Sequence, residues 1–97
     1  MSFTENIVKW AHERNLINGS SPQAQMMKLT EEMGELAASL ARGKWDDATD
    51  AIGDCAVVLA IIAEQINANF DGCCNAAWLE IKDRKGRMVD GVFVKHD

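Results

Sequence analysis

Two acidic clusters stand out in this 97-residue chain: Glu31-Glu32-Met33-Gly34-Glu35 and Asp50-Ala51-Ile52-Gly53-Asp54. Each lies at helical spacing within an otherwise apolar stretch. A helix advances by ~100° per residue, so Glu32 and Glu35 are offset by ~60° and share a face. Asp50 and Asp54, four apart, are offset by only ~40°. Two helices presenting these pairs to each other would build an all-oxygen cage that repels itself unless it holds a hard cation. Mg²⁺ suits such a donor set, and Mn²⁺ can replace it. The chemistry that follows is metal-dependent work on phosphates. The plain alternative is two solvated acidic helix faces.

The elements that must position these acids are punctuated clearly. Thr4 is expected to cap a first helix over 5–15, with Ile7, Val8, Trp10 and Ala11 on its apolar face. Asn15 to Ser21 carries turn chemistry. Ser21-Pro22 reads as the cap and first residue of a second helix over 22–42, stopped by Gly43. Its apolar set is Met26, Met27, Leu29, Met33, Leu36, Ala37 and Leu40. A third helix is expected over 46–69, opened by Asp46-Asp47 at the positive end of its dipole. A fourth spans 72–84 and ends near Gly86. Asp90-Gly91 between β-prone residues predicts a small hairpin over 88–94. The expected fold is all-α and four-helix bundle-like, a single domain over 1–97 with a C-terminal β-hairpin.

From Cys55 to Ala63 the third helix is apolar without a break. Nine residues fall well short of the ~20 needed to span a bilayer. A helix apolar all round must be buried all round, and a chain of this size buries only ~60–65% of its surface. A second subunit is therefore expected, giving a homo-dimer or homo-tetramer.

Net charge of −5 argues against a nucleic-acid partner, which would need a basic surface. Basic residues gather late, in Lys82, Arg84, Lys85 and Arg87. Of three cysteines, Cys55 reads as a buried small hydrophobe and Cys73-Cys74 as packing, with no disulfide or zinc spacing. No export signal or membrane span is visible, so a reduced, cytoplasmic protein is expected.

The residues also resemble a known family. Lys28-Leu29-Thr30-Glu31-Glu32-Met33-Gly34-Glu35-Leu36 is similar to the EExxE segment of MazG-like nucleoside triphosphate pyrophosphohydrolases. Asp50-Ala51-Ile52-Gly53-Asp54, with the apolar run after it, resembles the second acidic segment. Trp10, Arg14 to Ile17, Ile81 to Met88 and Gly91 to Lys95 extend the likeness to the short single-domain members carried by bacteriophages and some bacteria. The resemblance covers about residues 3–95. It departs at one place. The second segment usually reads ExxD, which would put glutamate at Ala51. The nearest acid is Asp50, one residue earlier, and it is expected to reach the same cation from the neighbouring rotation.

The resemblance implies a helical oligomer with its site between helices. It also implies Mg²⁺-dependent hydrolysis of a nucleoside triphosphate to the monophosphate and pyrophosphate. Glu32, Glu35, Asp50 and Asp54 would hold the metal, with Glu35 also in the catalytic set. Glu31 would be the general base or support the ligands from behind; its alternative is a solvent-facing partner for Lys28 or Lys44. Lys82 would take part in catalysis and, with Arg84 and Lys85, grip phosphate. Their alternative is to satisfy a helix C-terminus. Trp10 with Asn15, Asn18 and Gln25 is the expected base-recognition group. His12 and His96 read as surface residues and the methionines as core filler. Two other functions fit the same residues: a non-catalytic oligomerisation or regulatory module, fed by Ala51, and hydrolysis of a guanosine tetraphosphate-type alarmone.

Overall fold

The structure, a computed structural model, describes residues 1–96. In order it contains α1 (Phe3–Glu13), α2 (Pro22–Ala41), α3 (Trp45–Gln65), α4 (Phe70–Ile81), β1 (Gly86–Val89) and β2 (Val92–Lys95). The protein is thus mostly helical with a small antiparallel hairpin, as the sequence predicts.

Helix ends account for most differences from the sequence reading. The cap of α1 is Ser2, not Thr4. Ser2 Oγ accepts from the Glu5 N–H at 3.1 Å, and Ser2 N–H donates to Glu5 Oε1 at 3.4 Å, which is a reciprocal capping box. Thr4 is instead buried within the first turn and donates to Asp71 Oδ1 of α4 at 2.8 Å. Ser21 and Pro22 open α2 as expected.

The third helix stops four residues early, at Gln65. Asn67 adopts φ 61°, and Asn67 and Ala68 N–H groups close onto the carbonyls of Glu64 and Ala63. Asparagine tolerates this left-handed conformation better than most residues, so it ends a helix much as glycine does. Asn15 (φ 57°) ends α1 in the same way, at Glu13 rather than at 15. Asn69 then caps α4 by accepting from Gly72 N–H at 3.0 Å, so α4 starts at Phe70 and ends at Ile81 instead of spanning 72–84. In the hairpin, Asp90 and Gly91 both have positive φ, the conformation a two-residue type I′ turn requires.

Between α2 and α3 the turn is Arg42-Gly43-Lys44. Gly43 has φ +66°; its N–H donates to Leu40 O at 3.2 Å and Lys44 N–H donates to Ser39 O at 2.9 Å. This closes the end of α2 tightly and lets α2 and α3 pack along their lengths as a helical hairpin. Small side chains at Ala48, Ala51, Ala60 and Ala63 of α3 are buried and permit that approach. A second small core joins α1 to the far end of α3 through Ala11, Ile17 and Ile61, flanked by Ile7, Leu16 and Val57. There Gln65 Nε2 donates to Leu16 O at 3.3 Å, and His12 Nε2 lies 2.8 Å from Glu64 Oε2.

The apolar residues are less covered than the sequence suggests. None of the five methionines is buried among the described residues, so they do not fill this chain's own core. Cys55 is half-buried, and Cys73 and Cys74 are exposed rather than packed. Within the apolar run, Leu59 lies open while Val58, Ala60, Ile61 and Ala63 are buried. No residue of α4 is buried. Among the described residues no single helix is long and apolar enough to cross a membrane; α3 and α4 reach that hydropathy only together and are bent by 102°.

Candidate functional site

A cleft of about 350 Å³ opens between the C-terminal half of α2 and the N-terminal half of α3. Glu35, Asp50 and Asp54 line it, three of the acids singled out by spacing. Asp47 joins them one turn before Asp50, on the same stripe of α3. Ala51 also borders the cleft and is only 4% exposed, so the residue standing where the resemblance expects glutamate is a tightly packed methyl group.

Glu32 lies outside the cleft lining, on the packed side of α2. Its side chain is 9% exposed; Oε1 is 3.1 Å from the Lys28 ammonium, while Oε2 is buried with no hydrogen-bond partner. Glu31 turns to solvent and lies 3.7 Å from the same ammonium, which is one of the two partners its alternative reading named. The hydrogen bond to Glu32 and the charges of Glu31 and Glu32 push the Lys28 pKa above 10.5. On Glu35 the negative charge of Glu32 acts first, and burial and Glu31 add to it. They push the Glu35 carboxyl above 4.5, with Lys28 opposing them.

The donor set is all oxygen and under-compensated, the chemistry that favours a hard cation. Among the described residues, however, no three Asp, Glu, His or Cys side chains converge into a group able to hold a metal ion. Holding one would require rotation of the exposed Glu35, Asp50 and Asp54 side chains toward each other.

Lys82, Arg84 and Lys85 do not line the cleft. They follow α4, which leaves the opposite end of α3, and Arg84 Nη2 lies 3.6 Å from Glu80 Oε1 in the last turn of that helix. Trp10, Asn18 and Gln25 are likewise elsewhere. Arg14 stacks its guanidinium 4.6 Å above the Trp10 ring, and Gln25 Nε2 donates to Ser20 Oγ at 3.0 Å. Gln25 precedes Glu35 by ten residues, roughly 15 Å along α2.

The cleft's cations come from the tight turn. Arg42 and Lys44 line it, and beside them a second hollow of about 430 Å³ is walled by Gly43, Lys44, Asp46, Asp47 and Trp45, whose ring is largely exposed. The available sequence signal was the pair of basic residues flanking a glycine between the two acidic segments.

A relative from Haemophilus phage HP1, described as an uncharacterized 18.2 kDa protein in the rep-hol intergenic region, is 51% identical over 61 residues. Those residues are 63% of this chain and 37% of the relative, so the match spans little more than a third of the relative's length. No family model matches the chain, and no solved structure matches it.

Proposed function

We propose that the protein is a Mg²⁺-dependent nucleoside triphosphate pyrophosphohydrolase of the MazG-like kind. The observation that carries the reading is the α2–α3 cleft, which Glu35, Asp50 and Asp54 all line, with the packed, half-compensated Glu32 on the same helix as Glu35. The reaction consumes water and breaks the bond between the α-phosphorus and the oxygen bridging to the β-phosphorus, giving monophosphate and pyrophosphate. Mg²⁺ would neutralise phosphate oxygens and acidify bound water. Glu32, Glu35, Asp50 and Asp54 would hold it. Glu35 would belong to the catalytic set through the metal it holds, and Glu31, beside it on α2, would be the general base or support the ligands from behind.

The bundle is completed by a second copy. Met26, Met33 and Leu40 recur every seven residues on α2, and Ile52 and Leu59 of α3 with Ile66 at its C-cap do the same; all six are exposed. Two such stripes on a helical hairpin match the seam of an antiparallel four-helix assembly.

Ala51, packed at the cleft where the resemblance expects glutamate, favours one second reading, a regulatory module that keeps the acidic cleft without turnover. Thermal melting in EDTA and in Mg²⁺ tests the metal site itself. Mg²⁺ should raise the midpoint of the wild type and have little effect on Glu32→Gln/Asp54→Asn. An equal response in both proteins would remove the cage.

A further inference from the structure

We infer that Arg42 and Lys44 form the phosphate anchor of the α2–α3 cleft, holding the distal phosphates of a polyphosphate ligand while the carboxylates face its reacting end. This rests on the nucleotide reading above and deepens it by assigning the cationic half of the site within one chain.

Both residues line the same cleft as Glu35, Asp50 and Asp54. Among the described residues neither makes an ion pair, unlike Lys28 and Arg84. The turn that holds them is fixed by two backbone hydrogen bonds and the positive φ of Gly43, so the backbone from which both side chains spring is set at the mouth of the cleft. Lys44 caps α3 by position, yet no side-chain hydrogen bond satisfies the helix start. Along the helices, Arg42 follows Glu35 by seven residues and Lys44 precedes Asp50 by six, a rise of roughly 9–10.5 Å, with Asp47 between them one turn from Lys44. A cation bound by the carboxylates, together with the two basic side chains, would suit a ligand bearing several anionic groups in line better than a lone phosphate. The guanidinium can engage two oxygens at once and the ammonium one.

The test is calorimetric titration of inorganic tripolyphosphate, in excess Mg²⁺, into the full chain. Arg42→Ala/Lys44→Ala, with unchanged helicity and melting, should bind roughly tenfold more weakly, and Arg42→Lys/Lys44→Arg should recover most of that loss. Arg42→Gln alone should give an intermediate affinity. Wild-type affinity in the double alanine variant would overturn the assignment. So would loss confined to Lys82→Ala/Arg84→Ala/Lys85→Ala, or no binding by the wild type. Weakened binding in a protein that hydrolyses no nucleotide leaves the anchor standing and removes the hydrolase. Turnover at wild-type kcat/KM in the double variant does the reverse.

Discussion

The Lys28 ammonium lies 3.1 Å from Glu32 Oε1, one helical turn away, while Glu32 Oε2 is buried without a partner. The lysine therefore compensates half of a carboxylate that the α2–α3 packing has taken out of water. Removing one member of such a pair costs more than removing both. Lys28→Met should lower the melting midpoint by several degrees, and Lys28→Met/Glu32→Gln should recover most of it. Additive losses in that double-mutant cycle would show that the two groups are not coupled.

Glu35 gives the apo protein a pH dependence of defined sign. Its folded-state pKa is raised above 4.5, chiefly by the charge of Glu32. Its contribution to stability is therefore fully present below about that pH and lost as pH rises through the higher folded value. In EDTA, Glu35→Gln should flatten the fall in melting midpoint on the alkaline side of 4.5 and melt higher than wild type at neutral pH. A variant whose pH profile superimposes on the wild type would contradict the strain assigned to this cluster.

Ala51 occupies the floor of the cleft at 4% exposure. Placing glutamate there buries a carboxylate beside Asp50 and Asp54, which should destabilise the metal-free protein by about 2–3 kcal/mol. If a cation belongs in the cleft, Mg²⁺ should stabilise Ala51→Glu more than it stabilises wild type. Chemical denaturation with and without Mg²⁺ measures both quantities.

The exposed stripe of Ile52, Leu59 and Ile66 is the proposed subunit seam. Ile52→Glu/Leu59→Glu should convert the assembly to monomers in multi-angle light scattering and abolish any dependence of the melting midpoint on protein concentration. A wild-type protein that is strictly monomeric at high concentration would refute the seam.

Much of this fold was legible because its signals are local. Ser21-Pro22, Gly43 and Asp90-Gly91 each set a backbone conformation by residue type alone, and each marks the expected boundary. The misread ends belong to Asn15 and Asn67, which stop helices in a left-handed conformation that asparagine adopts without requiring it. The capping box of α1 was also written plainly, as Ser2 and Glu5, but Thr4 is the same kind of residue two positions on. Within the site, helical spacing brought Glu35, Asp50 and Asp54 to one cleft. It did not reveal Asp47, Arg42 and Lys44, because those read equally well as helix-dipole and turn residues. Nor could spacing show that α4 carries Lys82 away from the acids, since that depends on the bend after Asn67.

The central claim is that this cleft cleaves nucleoside triphosphates at the α-phosphorus. Its most direct test is product analysis of a panel of NTPs and dNTPs incubated with Mg²⁺ and wild-type protein, beside Glu35→Gln. The account predicts monophosphate and pyrophosphate in equal amounts from the wild type, and a rate lower by about a hundredfold or more, on the order expected when a carboxylate holding the catalytic metal is lost, from the variant. Diphosphate and inorganic phosphate as products, equal rates in the two proteins, or no turnover by a folded wild type would contradict it.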